Sequence, residues 1–508
     1  MFSLIYSATL NGIEASIVEV ETYISSGMPV FSIVGLPDAT VKESRNRVIA
    51  AIKNSNFAFP TKKITINLAP ADIKKEGGIF DLPIALCILA AIGKIKKENL
   101  RKFCAVGELS LDGKIREIKG SLPISLALPK NNIKNFIVPF ENRQEASVAG
   151  MVNVFPFKTL SEVVQFINDE TLVAPYMYNE NEVVSSLLNH EYDFSDVKGQ
   201  KSAIRAAEIA ASGGHNLLMC GPPGSGKTMI AKRIPSILPP MTFNESIETT
   251  KVWSVIGNNF CKGLIKTRTF RSPHHTTSAI ALAGGGTYPK PGEVSLAHNG
   301  VLFLDEFAEF KRDSLEILRQ PLEDKRITVS RAKNSFTFPA SFMLVAAMNP
   351  CPCGNLGHRE KDCVCTPLQI NKYKSKISGP LMDRIDIHVE VLALKLSELT
   401  ELNAVSESSA QIRERVIKAR QIQNERFCKS KIHANAQMQS KEIKKHCILN
   451  KDAYDILKMS MEKLKFSARS YDKILKVSRT IADLDRVEKI GPSHIAEAIK
   501  YRFSDRNL

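Results

Sequence analysis

The stretch Leu217-Leu218-Met219-Cys220-Gly221-Pro222-Pro223-Gly224-Ser225-Gly226-Lys227-Thr228 decides how the rest of the chain is read. Four apolar residues suited to a buried strand run into a G-x-x-x-x-G-K-T loop, and Met229 to Ile234 continue as the start of a helix. Glycines let backbone N–H groups close on phosphates, Lys227 reaches the outer phosphates as a point charge, and the Thr228 hydroxyl can sit on Mg²⁺. The nucleotide is therefore expected on Gly221, Pro222, Pro223, Gly224, Ser225, Gly226, Lys227 and Thr228, with ATP and Mg²⁺ as cofactors. A second apolar run, Gly300 to Leu304, ends in Asp305-Glu306. Such a strand, buried in a parallel sheet, offers Asp305 to the Mg²⁺ shell and Glu306 to the attacking water.

At 508 residues the chain exceeds what one core supports, so two or three domains are expected. Lys+Arg 69 against Asp+Glu 53 leaves a formal net charge of +16, which favours a polyanionic partner such as nucleic acid. The N-terminus lacks a basic segment followed by an apolar run, and no apolar stretch approaches the roughly 18 residues of a membrane span. A cytoplasmic protein without membrane association is the expectation. Ten cysteines are too sparse for a disulfide scaffold, and four of them fall at 351–365. Cys351, Cys353, Cys363 and Cys365 supply four soft ligands to one short loop, which suits tetrahedral structural Zn²⁺, with His358 able to replace one thiolate.

Residues 1–172 read as a compact α+β domain: strand-like alternation at Ile13 to Val20 and Val30 to Val34, a helix capped by Asp38, a strand Lys63 to Ala69 and an apolar helix from Ile84. Pro70 to Leu86 and Val106 to Arg116 resemble the Lon-protease-like module of the ribosomal S5 domain 2 fold. Lon-type cleavage needs a serine activated by a lysine. Gly78-Ile79-Phe80-Asp81 stands where that serine would be, and Ser121-Leu122-Pro123-Ile124 follows Gly120 without the lysine, so a binding or assembly module is expected rather than a peptidase. An Asn-, Glu- and Tyr-rich linker is assigned to 173–192, the nucleotide-binding core to 193–395 and a helical lid to 396–508.

Within the core, Asp193 to Gln200 resembles the element that lies over adenine in AAA+ proteins, and the strand Phe342 to Met348 delivers Asn349 where those enzymes place sensor 1. Ser378 to Asp386 resembles the arginine-finger segment of the magnesium-chelatase and MCM branch, which implies that Arg384 completes a neighbour's site in a ring. The same resemblance puts a sensor 2 arginine at Arg469, with Arg479 as the alternative. Gly284 to Gly292 resembles the helix-2 insert of ring ATPases; Asp324 to Phe338 reads as a β-hairpin. Lys290 on the insert and Lys325, Arg326, Arg331 and Lys333 on the hairpin could follow a phosphate backbone by charge, with Tyr288 and Phe336 available for stacking on bases. His274 and His275 are not spaced like a metal site and are expected to position neighbouring loops.

Taken over its full length, the chain resembles the ComM/YifB family of magnesium-chelatase-like AAA+ ATPases, with Arg268–His275, Gly284–Gly292 and Asn349–Gly354 as the family-specific segments. The resemblance implies an S5 domain 2-like module, a P-loop AAA+ parallel-sheet core and a helical lid. It further implies a hexameric ring that hydrolyses ATP to move along single-stranded or branched DNA, with branch migration in recombination of incoming strands as the activity. A chelatase-like remodeller of a protein or metal-insertion partner is the alternative, and a non-enzymatic scaffold a third.

Overall fold

A computed structural model describes residues 1–502 apart from 170, 179–191, 258–262, 287–288, 331–334, 359–360, 394–405, 431 and 465–466. The linker expected at 173–192 therefore lies mostly outside the described residues, as do Arg331, Lys333 and Tyr288. The chain divides into two units, Met1–Leu187 with Phe243–Lys266, and Leu188–Thr242 with Thr267–Leu508.

The first unit is built on a mixed seven-stranded sheet of β1 (Phe2–Asn11), β2 (Glu14–Ser25), β3 (Phe31–Val34), β4 (Lys63–Ala69), β5 (Phe103–Ala105), β6 (Asn135–Pro139) and β7 (Asn153–Phe157), ordered β3-β4-β2-β1-β5-β6-β7. β1 and β2 pair antiparallel along their length, while β5, β6 and β7 add parallel strands. The helix Asp81–Ala91 is buried on every side, which its uninterrupted apolar text requires. Asp81 heads it, burial pushing its carboxyl up to about 6, and it receives the Arg47 guanidinium at 2.7 and 3.1 Å.

Chain order places Phe243–Lys266 between the P-loop and the second acidic strand, inside the assigned core, yet the segment packs with the first unit. Leu122, Val148 and Leu264 share a small apolar cluster there, with Ile247 against it. Glu145, buried, takes the Leu122 N–H at 3.1 Å and the Ser254 hydroxyl, while the Gly120 N–H reaches the Ser254 carbonyl at 3.1 Å.

The second unit is built on a five-stranded sheet of β8 (Leu217–Cys220), β9 (Phe270–Arg271), β10 (Val301–Leu304), β13 (Met343–Met348) and β14 (Ile387–Glu390). Between β10 and β13 a hairpin, β11 (Arg326–Ser330) with β12 (Ser335–Pro339), stands off the sheet, as the sequence predicts. The sheet order is β9-β10-β13-β8-β14 and every pairing in it is parallel. β10 and β13 are buried at every position, the pattern of parallel strands covered on both faces. With the P-loop strand β8 held between β13 and β14, the sheet puts all its carboxyl ends, where ligands of open α/β sheets bind, along one edge. Helices Ser409–Phe427, Lys451–Leu464, Ala468–Leu484 and Pro492–Lys500 form the expected lid. Among the described residues no helix is long and apolar enough to cross a membrane.

Replacing Glu145 by alanine strips the Leu122 N–H and the Ser254 hydroxyl of their acceptor in a buried site. The expected loss is about 2 kcal/mol, measured as an earlier urea midpoint, and an unchanged midpoint would show that the carboxylate does not anchor this helix.

Candidate active site

β8 ends at Cys220 and the loop closes tightly. A Cβ on Gly221 would lie 2.1 Å from the Val391 carbonyl oxygen, so only glycine fits beside the strand β14 exit. Gly226, at φ +92, begins the helix Lys227–Ile237, whose N-terminus faces the loop. Lys227 donates to the Gly221 and Pro222 carbonyls, each at 2.8 Å, and to Asn349 Oδ1 at 3.4 Å; burial pushes its pKa down. The Thr228 hydroxyl donates to Asp305 Oδ2 at 2.6 Å, and the Glu306 N–H to Asp305 Oδ1 at 2.9 Å. Five residues singled out in the sequence, from three separate strand ends, thus share one pocket edge.

Glu306 sits at φ 51, ψ 45, in the left-handed region that costs a residue with a side chain about 1 kcal/mol or more. This turn aims its carboxylate at His275, whose Nδ1 lies 2.8 Å from Oε2. The His275 ring in turn rests on His274, centroids 4.1 Å apart. The histidine pair was visible in the sequence, but its partner was not, because Glu306 is 31 residues further on, across a loop without periodicity. The same family-specific segment does two more local jobs. Arg268 donates to the Pro239 carbonyl at 2.7 Å and the Asn299 carbonyl at 2.7 Å, and Arg271 grips Glu293 through two bonds of 2.7 Å.

Gln200 closes the other side: its amide donates to the Ser225 carbonyl at 3.1 Å and the Leu392 carbonyl at 2.8 Å, tying the P-loop to the strand end. Asp193 accepts from the Ser409 N–H at 3.1 Å, and Arg233 of the P-loop helix bonds Asp196 at 2.7 Å, so this element joins the loop helix to the lid.

Arg384 and Arg469 form a separate group. Arg384 donates to the Pro380 carbonyl and to Glu323, its side chain largely buried, while Arg469 is exposed and lies 3.5 Å from Asp383. Asn216 fixes that segment, donating to the Arg384 carbonyl at 2.8 Å and accepting from Leu344 N of β13 at 2.9 Å.

Two sequence readings change. Lys325 is not a hairpin cation on display: it caps the helix Arg319–Asp324 at φ 57, its N–H bonded to the Pro321 carbonyl at 3.0 Å, and burial pushes its ammonium down, with Asp386 opposing the shift. A helix that must stop before a strand needs a left-handed residue there, and chain position alone does not show that. Arg479, the alternative sensor 2 residue, is a buried structural group: it bonds Asp483 at 3.0 Å and the Val487 and Glu488 carbonyls. Of the other cations described, Lys290 is exposed at the ladder of Gly284–Gly285 with Lys290–Pro291, and Arg326 is exposed at the hairpin base.

The four cysteines converge. Cys351 Sγ lies 3.4 Å from Cys353 Sγ and 3.6 Å from Cys363 Sγ, Cys353 and Cys363 are 3.6 Å apart, and all four sulfurs fall within 4.8 Å of one another. His358 takes the Lys361 N–H at 3.2 Å and stands outside the set.

Comparison with known proteins agrees with this architecture. The magnesium chelatase subunit ChlI family matches residues 193–399, a second ChlI description matches residues 20–142, and the ChlI C-terminal family matches 406–502. Competence protein ComM of Haemophilus influenzae is 47% identical over 509 residues, covering 100% of this chain and 98% of its own. YifB of Escherichia coli is 41% identical and YifB of Salmonella typhimurium 40%, each over 508 residues, covering 100% of this chain and 98% of the relative.

The buried lid network yields a direct test. Asp483 accepts from Arg426 at 2.8 Å, Arg479 at 3.0 Å and Asn435 at 2.8 Å. Asp483→Ala leaves two guanidinium groups without their counter-charge, so the lid should lose about 3–5 kcal/mol of stability, seen as a separate early transition in thermal unfolding; an unaltered unfolding curve would show that the network carries no such burden.

Proposed function

The chain belongs to the magnesium chelatase subunit ChlI family of AAA+ ATPases, and from that premise we propose that it is an ATP-driven motor acting on DNA. The observation that carries the engine is the 2.6 Å bond between Thr228 and Asp305, which unites the loop hydroxyl and the strand carboxylate that an Mg²⁺-nucleotide requires. Lys227, Thr228 and Asp305 would hold ATP and its Mg²⁺. The ion, when bound, draws charge from the phosphate oxygens. Glu306 orients and deprotonates the attacking water, a role in which His275 competes for its carboxylate, and Asn349 contacts the terminal phosphate through its amide.

Arg384, paired with Glu323 within its own chain, serves the site of a neighbouring subunit, and the assembly is a ring, a hexamer by family resemblance. DNA as substrate is supported by the net charge of +16, by exposed Lys290 and Arg326, and by the name of the Haemophilus relative, a competence protein. Arg331 and Lys333 belong to this set on sequence grounds. Movement along single-stranded or branched DNA, with branch migration in recombination or natural transformation, is the activity we assign. The family description favours one other reading, a chelatase-like remodeller of a protein or metal-insertion partner.

Glu306→Gln should keep nucleotide affinity within about twofold and lower hydrolysis by 10² or more. Lys227→Ala should bind no nucleotide, and Arg384→Ala should bind without hydrolysing. Mixing the last two variants should restore part of the ATPase, since some interfaces then pair an intact loop with an intact arginine; no recovery on mixing would count against completion between subunits. For the substrate, DNA at low salt should raise the ATPase of wild type, and Lys290→Ala with Arg326→Ala should abolish fork unwinding while basal ATPase persists. An ATPase and a sedimentation profile both indifferent to DNA would favour the remodeller.

A further inference from the structure

The cysteine cluster and the nucleotide pocket are joined by one short path of chain. Asn349, whose amide reaches Lys227, lies two residues before Cys351. Cys351 is fully buried and accepts, through its carbonyl, the Gly354 N–H at 3.0 Å. Gly354 adopts φ +81 and lies flat on the P-loop: a Cβ there would be 2.5 Å from Pro223 Cδ and 2.8 Å from Cγ. On the far side, Cys365 leads through Thr366, the N-cap, into the helix Pro367–Lys374, which carries the buried Tyr373. The loop from 351 to 365 thus starts directly after Asn349 and lays its Gly354 on Pro223.

The sulfur spacing distinguishes two chemistries. A disulfide needs about 2.05 Å, whereas four thiolates around one tetrahedral zinc at about 2.3 Å stand about 3.8 Å apart. Separations of 3.4, 3.6 and 3.6 Å match the second. Backbone N–H groups already point at the sulfurs, Cys353 N to Cys365 Sγ at 3.4 Å and Leu356 N to Cys351 Sγ at 3.4 Å, an arrangement that spreads thiolate charge.

We propose that Cys351, Cys353, Cys363 and Cys365 bind one Zn²⁺ whose function is to clamp Gly354 onto Pro223 and hold Asn349 beside Lys227, so that nucleotide binding depends on the metal. The proposal rests on the nucleotide reading of the P-loop and on no assumption about DNA. With four protein ligands the metal has no open position and takes no part in hydrolysis. Its effect is mechanical: without the four metal–sulfur bonds nothing ties Cys351 and Cys353 to Cys363 and Cys365, the loop opens, and Gly354 and Asn349 leave the P-loop together.

The test uses the full chain. Wild type should contain about one zinc per chain by elemental mass spectrometry. Zinc is displaced with a mercurial, the thiols are regenerated with dithiothreitol, and Mg²⁺ is restored after desalting. Affinity for a fluorescent ATP analogue should then fall at least tenfold and recover on adding one equivalent of Zn²⁺. Gly354→Val retains all four thiols, so it should keep its zinc and still lose at least tenfold in affinity; this variant stands even where Cys353→Ser fails to fold. Equal affinity with and without zinc, zinc-free protein that binds nucleotide normally, or a Gly354→Val protein that binds like wild type would each overturn the clamp. Absence of nucleotide binding in zinc-loaded wild type would overturn the ATPase reading, and the clamp with it.

Discussion

The bond from Thr228 to Asp305 sets the terms for the whole second unit, because the two residues come from strands that are not neighbours. β13 lies between β8 and β10, so the hydroxyl and the carboxylate can meet only if all three strands run parallel and end at the same level. The register supplies this: Leu218 and Leu304 both pair with Ala346 of β13. Parallel strands with these ends demand long crossovers, and the chain uses them to carry the insert, the hairpin and the segment that joins the first unit.

A second constraint keeps the lid fixed to that sheet. His215, just before β8, bonds Thr480 of the lid at 2.8 Å and Asp386, just before β14, at 3.4 Å; Asn435 extends the chain of bonds from Thr480 to Asp483. Asp386 is held well below the usual carboxylate range against its own burial, by the His215 hydrogen bond and by the charges of Lys473 and Lys476. A buried network of this kind is stable only when complete, and it makes the lid and the P-loop strand move as one body. Arg479, the alternative to Arg469 for sensor 2, is part of it, its buried charge bonded to Asp483.

What could be read from residues alone follows the range of the interactions involved. Gly221 to Thr228 and the run ending at Asp305-Glu306 were legible because a local pattern of buried strand, turn and charge encodes them. The cysteine loop was legible from spacing, and its four sulfurs do converge. The pairing of His275 with Glu306 and the position of Phe243–Lys266 were not, since both are long-range choices of a loop and a helix among several surfaces. Lys325 differs for a related reason: a lysine in a basic text looks exposed, whereas here it is half-buried at the end of a helix, at φ 57.

One regularity runs through the site. Lys227 is satisfied by two carbonyls of its own loop, Glu306 by His275, Thr228 by Asp305 and Arg384 by Glu323. Each group to which the proposed mechanism gives a role in phosphate chemistry is already paired within one chain, and on that mechanism Lys227, Glu306 and Arg384 exchange their partners when a nucleotide or a neighbour arrives. A hydrogen bond of this kind contributes about 0.5–1.5 kcal/mol net, so the exchange costs little per group while the phosphate charges offer more to Lys227 than neutral carbonyls can. The exchange at Glu306 differs, because the strained backbone at φ 51 stays in place and only the side chain must turn from histidine to water. On the proposed mechanism that turn of Glu306 from His275 to water precedes hydrolysis.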